Sequence, residues 1–190
     1  MKKYTIVAGV NGAGKSTLYR LDPDLQSTNR VNADEILKRN NGDWRNTSDV
    51  FTAGKQAVKL LNTYIEEGVS FNQETTLCGN SIIKNIQNAC EKGYVIEMHY
   101  IGVNSVDIAK ARGAKRVSLG GHGVAEADIE RRYVQSFNTF WKILHLCNLV
   151  AVYDNTEDFR RFAIYKDGYL VRLSHNVPKW FELKDNQTSL

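Results

Sequence analysis

The stretch Gly9-Val10-Asn11-Gly12-Ala13-Gly14-Lys15-Ser16 determines the fold class of this 190-residue chain. It matches the pattern GxxxxGK[ST] and follows a short apolar run, residues 4–10, which we interpret as a β-strand. Residues 15–20 begin a helix that Pro23 ends, because proline cannot continue a helix interior. A strand, a glycine-rich turn and a helix in this order form a phosphate-binding loop. The sequence therefore predicts a site for a nucleoside triphosphate.

The residue types in this loop have separate tasks. Glycines allow several backbone N–H groups to point at phosphate oxygens, and the helix N-terminus adds a positive dipole. Lys15 is expected to reach the β- and γ-phosphates, and the hydroxyl of Ser16 is expected to bind Mg²⁺. The residues expected around the triphosphate are Gly9, Val10, Asn11, Gly12, Ala13, Gly14, Lys15, Ser16 and Thr17. The motif leaves open what the triphosphate is used for.

The composition is that of a folded globular protein. Hydrophobic residues make up 42% of the chain and charged residues 24%, with only 2 prolines, which argues against a disordered or fibrous chain. Cys78, Cys90 and Cys147 form neither a disulfide framework nor a zinc-binding pair. No apolar run approaches the ~18 residues of a membrane span, so we expect a soluble, cytoplasmic protein. The net charge of +4 suits an anionic small ligand as well as RNA.

Strand patterns alternate with helical patterns, which is typical of an α/β fold with a parallel sheet. Further strands are predicted at 30–32, 69–74, 94–102 and 149–153, and longer helices at 50–67, 81–92, 105–117 and 125–146. Lys166-Asp167-Gly168 predicts a hairpin turn between two more strands. We predict three layers, with a mostly parallel five-stranded sheet, helices on both faces and a C-terminal β-hairpin. Residues 1–190 are expected to form a single domain, with a lid at about 112–132 and the hairpin and tail at about 157–190.

Two polar clusters follow predicted strands, at the edge where the carboxyl ends of parallel strands meet. Asp34, in Val31-Asn32-Ala33-Asp34-Glu35-Ile36, is placed to take the proton of an attacking hydroxyl. The alternative is that Asp34 caps the next helix. Glu74-Thr75-Thr76 suits substrate hydroxyls or Mg²⁺-bound water, or again a helix cap. Lys55, on the helix between the two clusters, is expected either to face the substrate or to be solvated.

A basic segment is predicted to close over the triphosphate. Four bases fall within seven residues, Lys110, Arg112, Lys115 and Arg116, and Gly120-Gly121-His122-Gly123 follows them. Two helices joined by such a loop, with arginines on both helices close to the loop, are typical of a kinase lid. Because Arg132 flanks the apolar face of the second helix and Arg131 lies nearly opposite, we expect Arg116 and Arg132 to contact phosphate. The alternative is a solvated basic patch. His122 is expected to order the lid.

Taken together over about residues 3–155, these motifs resemble the zeta-toxin family, in particular its short branch labelled as predicted ABC-type ATPases. The segments that carry the resemblance are 9–16, 31–36, 74–77 and 120–133. The resemblance implies a P-loop kinase fold, ATP and Mg²⁺ as cofactors, and a small antitoxin as partner. It also implies phosphorylation of a hydroxyl of a nucleotide-activated sugar, notably the 3′-hydroxyl of UDP-N-acetylglucosamine.

By position, the resemblance assigns Lys15 and Ser16 to ATP and Mg²⁺, and Asp34 to the catalytic base. It assigns Glu74 and Thr76 to the substrate, and Arg116 with one of the pair Arg131-Arg132 to the lid. Two positions depart from the family pattern. Thr75 stands where well-studied members have glycine, and an acidic substrate-binding residue of theirs falls near Val58.

Three other functions stay open. A relative in this family phosphorylates a dinucleotide cofactor, so an NAD-like acceptor is one alternative. A kinase of nucleic-acid ends is the second, with Arg160-Arg161-Phe162 and Lys179-Trp180-Phe181 as weak candidate contacts. A non-kinase P-loop ATPase is the third, since residues 118–122 are similar to the ABC signature, although the Asp-Glu strand end of such ATPases is missing. We favour the nucleotide sugar, and expect neither a membrane nor a nucleic acid as partner.

Overall fold

A computed structural model describes residues 1–27 and 29–182 of the chain. In these residues the strands are β1 (Lys3–Ala8), β2 (Arg30–Val31), β3 (Phe71–Thr75), β4 (Val95–Gly102), β5 (Leu149–Asp154), β6 (Arg160–Lys166) and β7 (Tyr169–Leu173). The helices are α1 (Lys15–Leu21), α2 (Ala33–Arg39), α3 (Thr47–Glu67), α4 (Asn80–Glu91), α5 (Val106–Ser118), α6 (Glu126–Ile143) and α7 (Lys179–Glu182). The alternation of strands and helices predicted from the sequence is thus observed.

The strands form one sheet in the order β2-β3-β1-β4-β5-β6-β7. Strands β1 to β5 are parallel, whereas β6 pairs antiparallel with β5 and β7 antiparallel with β6. The predicted five-stranded sheet is therefore wrong in its count, since the described sheet has seven strands and is mixed. The predicted hairpin is present, with Asp167 at φ 49° and Gly168 at φ 84° in its turn, but its strands extend the sheet. Residues 183–190 of the predicted tail lie outside the described residues.

Residues that alternate along the central strands divide the core between the two faces of the sheet. Ile6 belongs to a cluster that also holds Leu61 of α3 and Phe140 of α6. Its neighbour Val7 belongs to a second cluster, together with Leu18 of α1. Both faces of the sheet are therefore covered by helices, which gives the three layers expected for parallel strands.

The parallel strands place their carboxyl ends at one edge of the sheet. In the register of β1, Ala8 lies beside Thr75 of β3 and Tyr100 of β4, and Val31 of β2 lies beside Gln73. The segments that follow β1, β2 and β3 therefore meet at this edge, where ligands bind in open α/β sheets.

The predicted lid lies on α5, on residues 119–125, which we call the lid loop, and on α6. Helix α5 begins at the expected cap, because the Ser105 hydroxyl accepts a hydrogen bond from the Ile108 N–H at 3.3 Å. In the part of the chain that is described, no helix is long and apolar enough to cross a membrane.

Candidate active site

The phosphate loop (Gly9–Ser16) has a backbone that requires glycine at defined positions. Gly9, Gly12 and Gly14 have φ values of 142°, 83° and 106°, a region that other residues rarely adopt. A Cβ on Gly12 would lie 2.5 Å from the Ala109 carbonyl oxygen of α5. The loop is thus pressed against α5 by backbone contacts that a side chain would break.

The ammonium group of Lys15 is buried at the centre of the site. The residue is 8% exposed, and its Nζ donates to the Val10 carbonyl at 3.1 Å. Burial lowers the pKa of Lys15, and two nearby carboxylates act in the opposite direction. The four side chains that act on it electrostatically are Glu74, Asp34, Arg116 and Arg132. Charged residues from three separate predicted motifs therefore lie within electrostatic range of Lys15.

The Ser16 hydroxyl faces the end of β3. Its Oγ lies 2.9 Å from Glu74 Oε1 and 3.2 Å from Oε2. The other partner of Glu74 is Arg30, whose guanidinium donates to Oε2 at 2.6 Å. The side chains of Glu74 and Arg30 are 9% and 10% exposed. Glu74 therefore lies on the triphosphate side of the site, beside the predicted Mg²⁺ ligand.

Arg30 is a site residue that sequence reasoning missed. Besides Glu74, it donates to Glu35 Oε1 at 2.9 Å and to Asn72 Oδ1 at 3.0 Å. Its guanidinium also stacks 3.5 Å from the centroid of the Tyr19 ring on α1. An arginine at the start of a short, buried parallel strand was the available signal, because such a charge needs partners.

Asp34 does not cap α2, because Asn32 does. The Asn32 Oδ1 accepts from the Asp34 N–H at 2.9 Å and from the Glu35 N–H at 3.3 Å. The Asp34 carboxylate is half-buried and acts electrostatically on Lys15 and on His122 of the lid loop. The alternative of a capping aspartate is thus excluded, and the carboxylate faces the site.

The two neighbouring arginines of α6 point in different directions. Arg132 donates to Asn11 Oδ1 of the phosphate loop at 3.1 Å, and its side chain is 23% exposed. Arg131 is 52% exposed and pairs with Asp128 at 2.7 Å and Gln135 at 3.0 Å on its own helix. This is the arrangement that the position of each residue on the helix predicts.

The lid loop is held between Arg116 and a tryptophan that sequence reasoning did not select. A Cβ on Gly121 would lie 2.6 Å from Arg116 Cγ, and one on Gly123 would lie 2.6 Å from the Trp44 ring. Between these two glycines, the ring of His122 meets Trp44 edge-on at a centroid distance of 6.1 Å. Burial lowers the pKa of His122, against the effect of the nearby Asp34 carboxylate.

Arg116 has one further feature. Its Nε is buried and has no hydrogen-bond partner within the described residues. Buried polar atoms normally have partners, so this N–H is available to a ligand oxygen.

Of the remaining residues predicted to bind substrate, Thr75 lies beside the phosphate loop and Lys55 lies away from it. Thr75 lies at the turn beneath the phosphate loop, where its carbonyl accepts from the Gly9 N–H at 3.3 Å and its Oγ1 from the Leu77 N–H at 3.1 Å. Thr76 follows it, and buried Leu77 has a φ of 58°, an uncommon value for a bulky residue. Lys55 is not brought to the site. It is exposed, two positions from buried Ala53 on α3, and its ammonium lies over the Phe51 ring at 4.4 Å.

A second contact missed from the sequence supports the phosphate loop from β5. Asn155 Nδ2 donates to the Ala13 carbonyl at 2.8 Å. Arg112, one of the four bases of α5, donates to the Asn155 carbonyl at 2.6 Å and to that of Thr156 at 3.1 Å. Arg112 is therefore committed to the segment after β5.

The donor atoms at Ser16 fit a magnesium ion that is bound mainly by phosphates and water. No group of three or more His, Cys, Asp or Glu side chains arranged for a metal occurs among the described residues. A hydroxyl beside a carboxylate supplies the hard oxygen atoms that Mg²⁺ prefers, and such sites use one or two protein ligands. Ser16 could be such a ligand, with the Glu74 carboxylate accepting the hydrogen of its hydroxyl.

Comparison with known proteins gives one clear sequence relative. The chain matches no protein-family model. An uncharacterized protein of Haemophilus influenzae is 37% identical over 131 residues, which are 69% of this chain and 92% of that protein.

Solved structures show a common fold at low identity. A chain of the AvrRxo1-ORF1:-ORF2 complex with ATP is 13% identical, with a TM-score of 0.70 over 100% of this chain. The present chain spans 64% of the length of that neighbour. A chain of the PezAT chromosomal toxin-antitoxin system of Streptococcus pneumoniae is 16% identical, with a TM-score of 0.62 over 98% of this chain and 84% of that one. The chain therefore shares the fold of these two structures, and by sequence it belongs to the family of the Haemophilus influenzae protein.

Proposed function

We propose that the protein is an ATP- and Mg²⁺-dependent kinase that phosphorylates a hydroxyl of a nucleotide-activated sugar of the UDP-N-acetylglucosamine type. One observation carries the proposal. The buried Lys15 of the phosphate loop lies within electrostatic range of a carboxylate suited to a base, Asp34, and of two lid arginines, Arg116 and Arg132. Phosphoryl transfer needs positioning and electrostatic stabilisation from its enzyme, and this set supplies both.

Each residue has one role in the proposed reaction. Lys15 and the backbone N–H groups of the phosphate loop hold the β- and γ-phosphates. Asp34 orients the acceptor hydroxyl and takes its proton on a carboxylate oxygen while the new P–O bond forms. Arg116 and Arg132 stabilise the charge that moves to the β-phosphate as the old P–O bond breaks. The Ser16 hydroxyl would hold Mg²⁺ beside the phosphates, and the ion would neutralise phosphate charge there.

The lid arrangement accounts for transfer to an acceptor rather than to water. The lid loop contacts Trp44, and its His122 lies within electrostatic range of Asp34, which supports an acceptor site between α2 and the lid loop. A closed lid excludes water from the γ-phosphate and commits it to the bound hydroxyl.

We further propose that the kinase is a toxin that an antitoxin protein neutralises. The support is the shared fold with a chain of a toxin-antitoxin system. The ATP in the AvrRxo1 complex similarly supports ATP as the phosphate donor here.

A labelled-ATP transfer assay tests the acceptor. UDP-sugars, NAD, nucleosides and oligonucleotides are offered in parallel with Mg²⁺, and we expect label on the UDP-sugar. Label on NAD or on oligonucleotides would mean that this molecule, and not the UDP-sugar, is the acceptor. Steady ATP hydrolysis that no acceptor changes would indicate an ATPase and overturn the kinase.

Four of the six residues considered for nucleic-acid binding have other contacts, whereas Arg161 and Lys179 are exposed. Phe162, Trp180 and Phe181 are buried in the core, where a stacking base cannot reach them. Arg160 donates to the Asn176 carbonyl at 2.6 Å. The structure therefore favours a small-molecule acceptor over a nucleic-acid end.

A further inference from the structure

We infer that Arg30 is a positioning residue, which holds the Glu74 carboxylate against Ser16 so that the Ser16 hydroxyl presents its oxygen lone pairs to the metal bound with ATP. The inference deepens the proposed function and rests on it. Neither the phosphate-loop motif nor the family resemblance assigns a role to Arg30.

The first step is the direction of the Ser16 proton. A carboxylate can only accept hydrogen bonds, so the contacts of Ser16 Oγ with Glu74 Oε1 and Oε2, at 2.9 and 3.2 Å, require the hydroxyl to donate. A hydroxyl whose proton is bound in this way keeps its lone pairs for a cation. Glu74 therefore fixes the orientation that a metal ligand needs.

The second step is what fixes Glu74. The carboxylate ends a flexible side chain, and at 9% exposure it is largely removed from water. Arg30 binds Oε2 at 2.6 Å, a charge-assisted hydrogen bond of the strong kind. Without this partner the buried carboxylate would lose its hydrogen-bonded counter-charge, keeping only the electrostatic effect of Lys15, and it would lose its orientation.

The third step is what fixes Arg30. Its guanidinium is held from four sides, by Glu35, Asn72 and Glu74 through hydrogen bonds and by the Tyr19 ring through stacking. These partners come from α2, from β3 and from α1, the helix that begins with Lys15. Only a planar fork of donors can satisfy three acceptors in this way, so lysine is a poor substitute.

The experiment measures metal-dependent binding of ATP in the absence of any acceptor. The affinity of a fluorescent, non-hydrolysable ATP analogue is measured with excess Mg²⁺ and with EDTA, and the ratio of the two affinities reports how strongly the protein supports the metal. Loss of a residue that orients a metal ligand commonly costs about 10–100-fold in metal affinity. We expect Arg30→Ala to lower the ratio by about tenfold, and Arg30→Lys to lower it less.

Two variants separate positioning from folding. Arg39→Ala removes an exposed arginine from the end of α2 and should leave the ratio unchanged. Glu74→Gln should lower the ratio as Arg30→Ala does. If Arg30→Ala fails to fold, the ratio of the Glu74→Gln protein tests the inference in its place. A purely structural Arg30 would change thermal stability, and the affinities with and without Mg²⁺ would fall together.

The outcomes are distinct. A folded Arg30→Ala protein with the wild-type ratio overturns the inference, as does a folded Glu74→Gln protein with that ratio. Wild-type protein that binds the analogue equally with Mg²⁺ and with EDTA removes the inference and the proposed cofactor together. A lowered ratio in the variants, beside a negative acceptor assay, supports the inference and contradicts only the proposed acceptor.

Discussion

The phosphate loop and the lid loop face the same site but are held by different kinds of contact. The phosphate loop is fixed by backbone, since Gly9 and Gly12 lie against the carbonyl oxygens of Ile101 and Ala109 at distances that exclude a Cβ. The lid loop has a local backbone contact, since the Gly121 N–H donates to the Arg116 carbonyl of the preceding helix at 2.9 Å, and it contacts a distant part of the chain through the Trp44 ring. Backbone contacts with a buried strand and a packed helix cannot rearrange cheaply, whereas side chains change rotamer readily.

This difference suggests separate roles for the phosphate loop and the lid in catalysis. In the proposed reaction, the phosphate loop would bind the triphosphate in one geometry, and the lid would act through contacts that can form and break in each cycle. Substitutions in the phosphate loop should therefore abolish activity, whereas substitutions in the lid should slow turnover more than they weaken ATP binding.

The largest expected effect on activity tests the phosphate loop. Lys15→Ala should lower transfer by about 10³-fold or more, because it removes the charge that neutralises the β- and γ-phosphates. The fold should persist, since Lys15 contributes little packing, and circular dichroism checks this. Lys115→Ala, an exposed lysine of α5, is the control and should behave as wild type. Undiminished transfer in Lys15→Ala would break the assignment of the rigid loop to phosphate.

The next effect concerns the base between the two loops. Asp34→Asn should retain binding of ATP and acceptor and lose transfer by about 10²–10⁴-fold, since it keeps size and loses basicity. Asp107→Asn is a matched control, because Asp107 also stands second in its helix, after the cap and one residue. Equal, small effects of both variants on the transfer rate would show that Asp34 only stabilises the N-terminus of its helix and is not the base.

Substitutions of the two lid arginines test the role of the lid. Arg116→Ala and Arg132→Ala should each lower kcat by about 10²-fold with a smaller change in the KM for ATP, because these groups meet charge that develops during transfer. Arg131→Ala should stay near wild type, since Arg131 faces solvent and pairs on its own helix. If both lid variants raised only the KM for ATP, the lid would bind substrate and the division of work would be wrong.

A smaller effect sharpens the role of Trp44. Gly123→Ala places a Cβ 2.6 Å from the Trp44 ring, and a displaced lid loop should lower kcat by about tenfold. In the Trp44→Ala background the same substitution should have little further effect, which a double-mutant cycle measures. Full additivity of the two substitutions would mean that the loop does not close on Trp44.

The smallest effect concerns the sheet beneath the phosphate loop. On β4, hydrogen bonds from His99 and Lys3 hold the pKa of Glu97 at about 2. A lowered pKa stabilises the fold above the ordinary pKa of the group, and this stability is lost as the pH falls through about 2. Glu97→Gln should thus lower the free energy of unfolding at neutral pH by about 1–3 kcal/mol, and this effect should shrink as the pH falls towards about 2.

Denaturant titrations of the Glu97→Gln protein at several pH values measure this difference. Glu66→Gln breaks an exposed ion pair with Lys92 at 2.8 Å and should change stability by no more than about 1 kcal/mol. Catalysis by Glu97→Gln should be normal at neutral pH, and a large loss of kcat there would mean that the sheet and the site are coupled.

The sequence by itself was enough for the layers of the fold, the glycine turn after β1 and the different directions of Arg131 and Arg132 on α6. These depend on local patterns: glycine where φ is positive, alternation along strands, and the direction of each residue around a helix axis. It also placed Asp34 and Glu74 at one sheet edge, because parallel strands share their direction.

Only the tertiary structure decided which long side chains meet. The contacts of Arg30 with Glu74, of Trp44 with Gly123 and of Asn155 with Ala13 join residues that are far apart in sequence. The position of the hairpin in the sheet and the outward direction of Lys55 were likewise set by packing. Local propensity fixes the conformation of neighbouring residues, but it carries no information about the partner that a buried guanidinium or ring finds across the core.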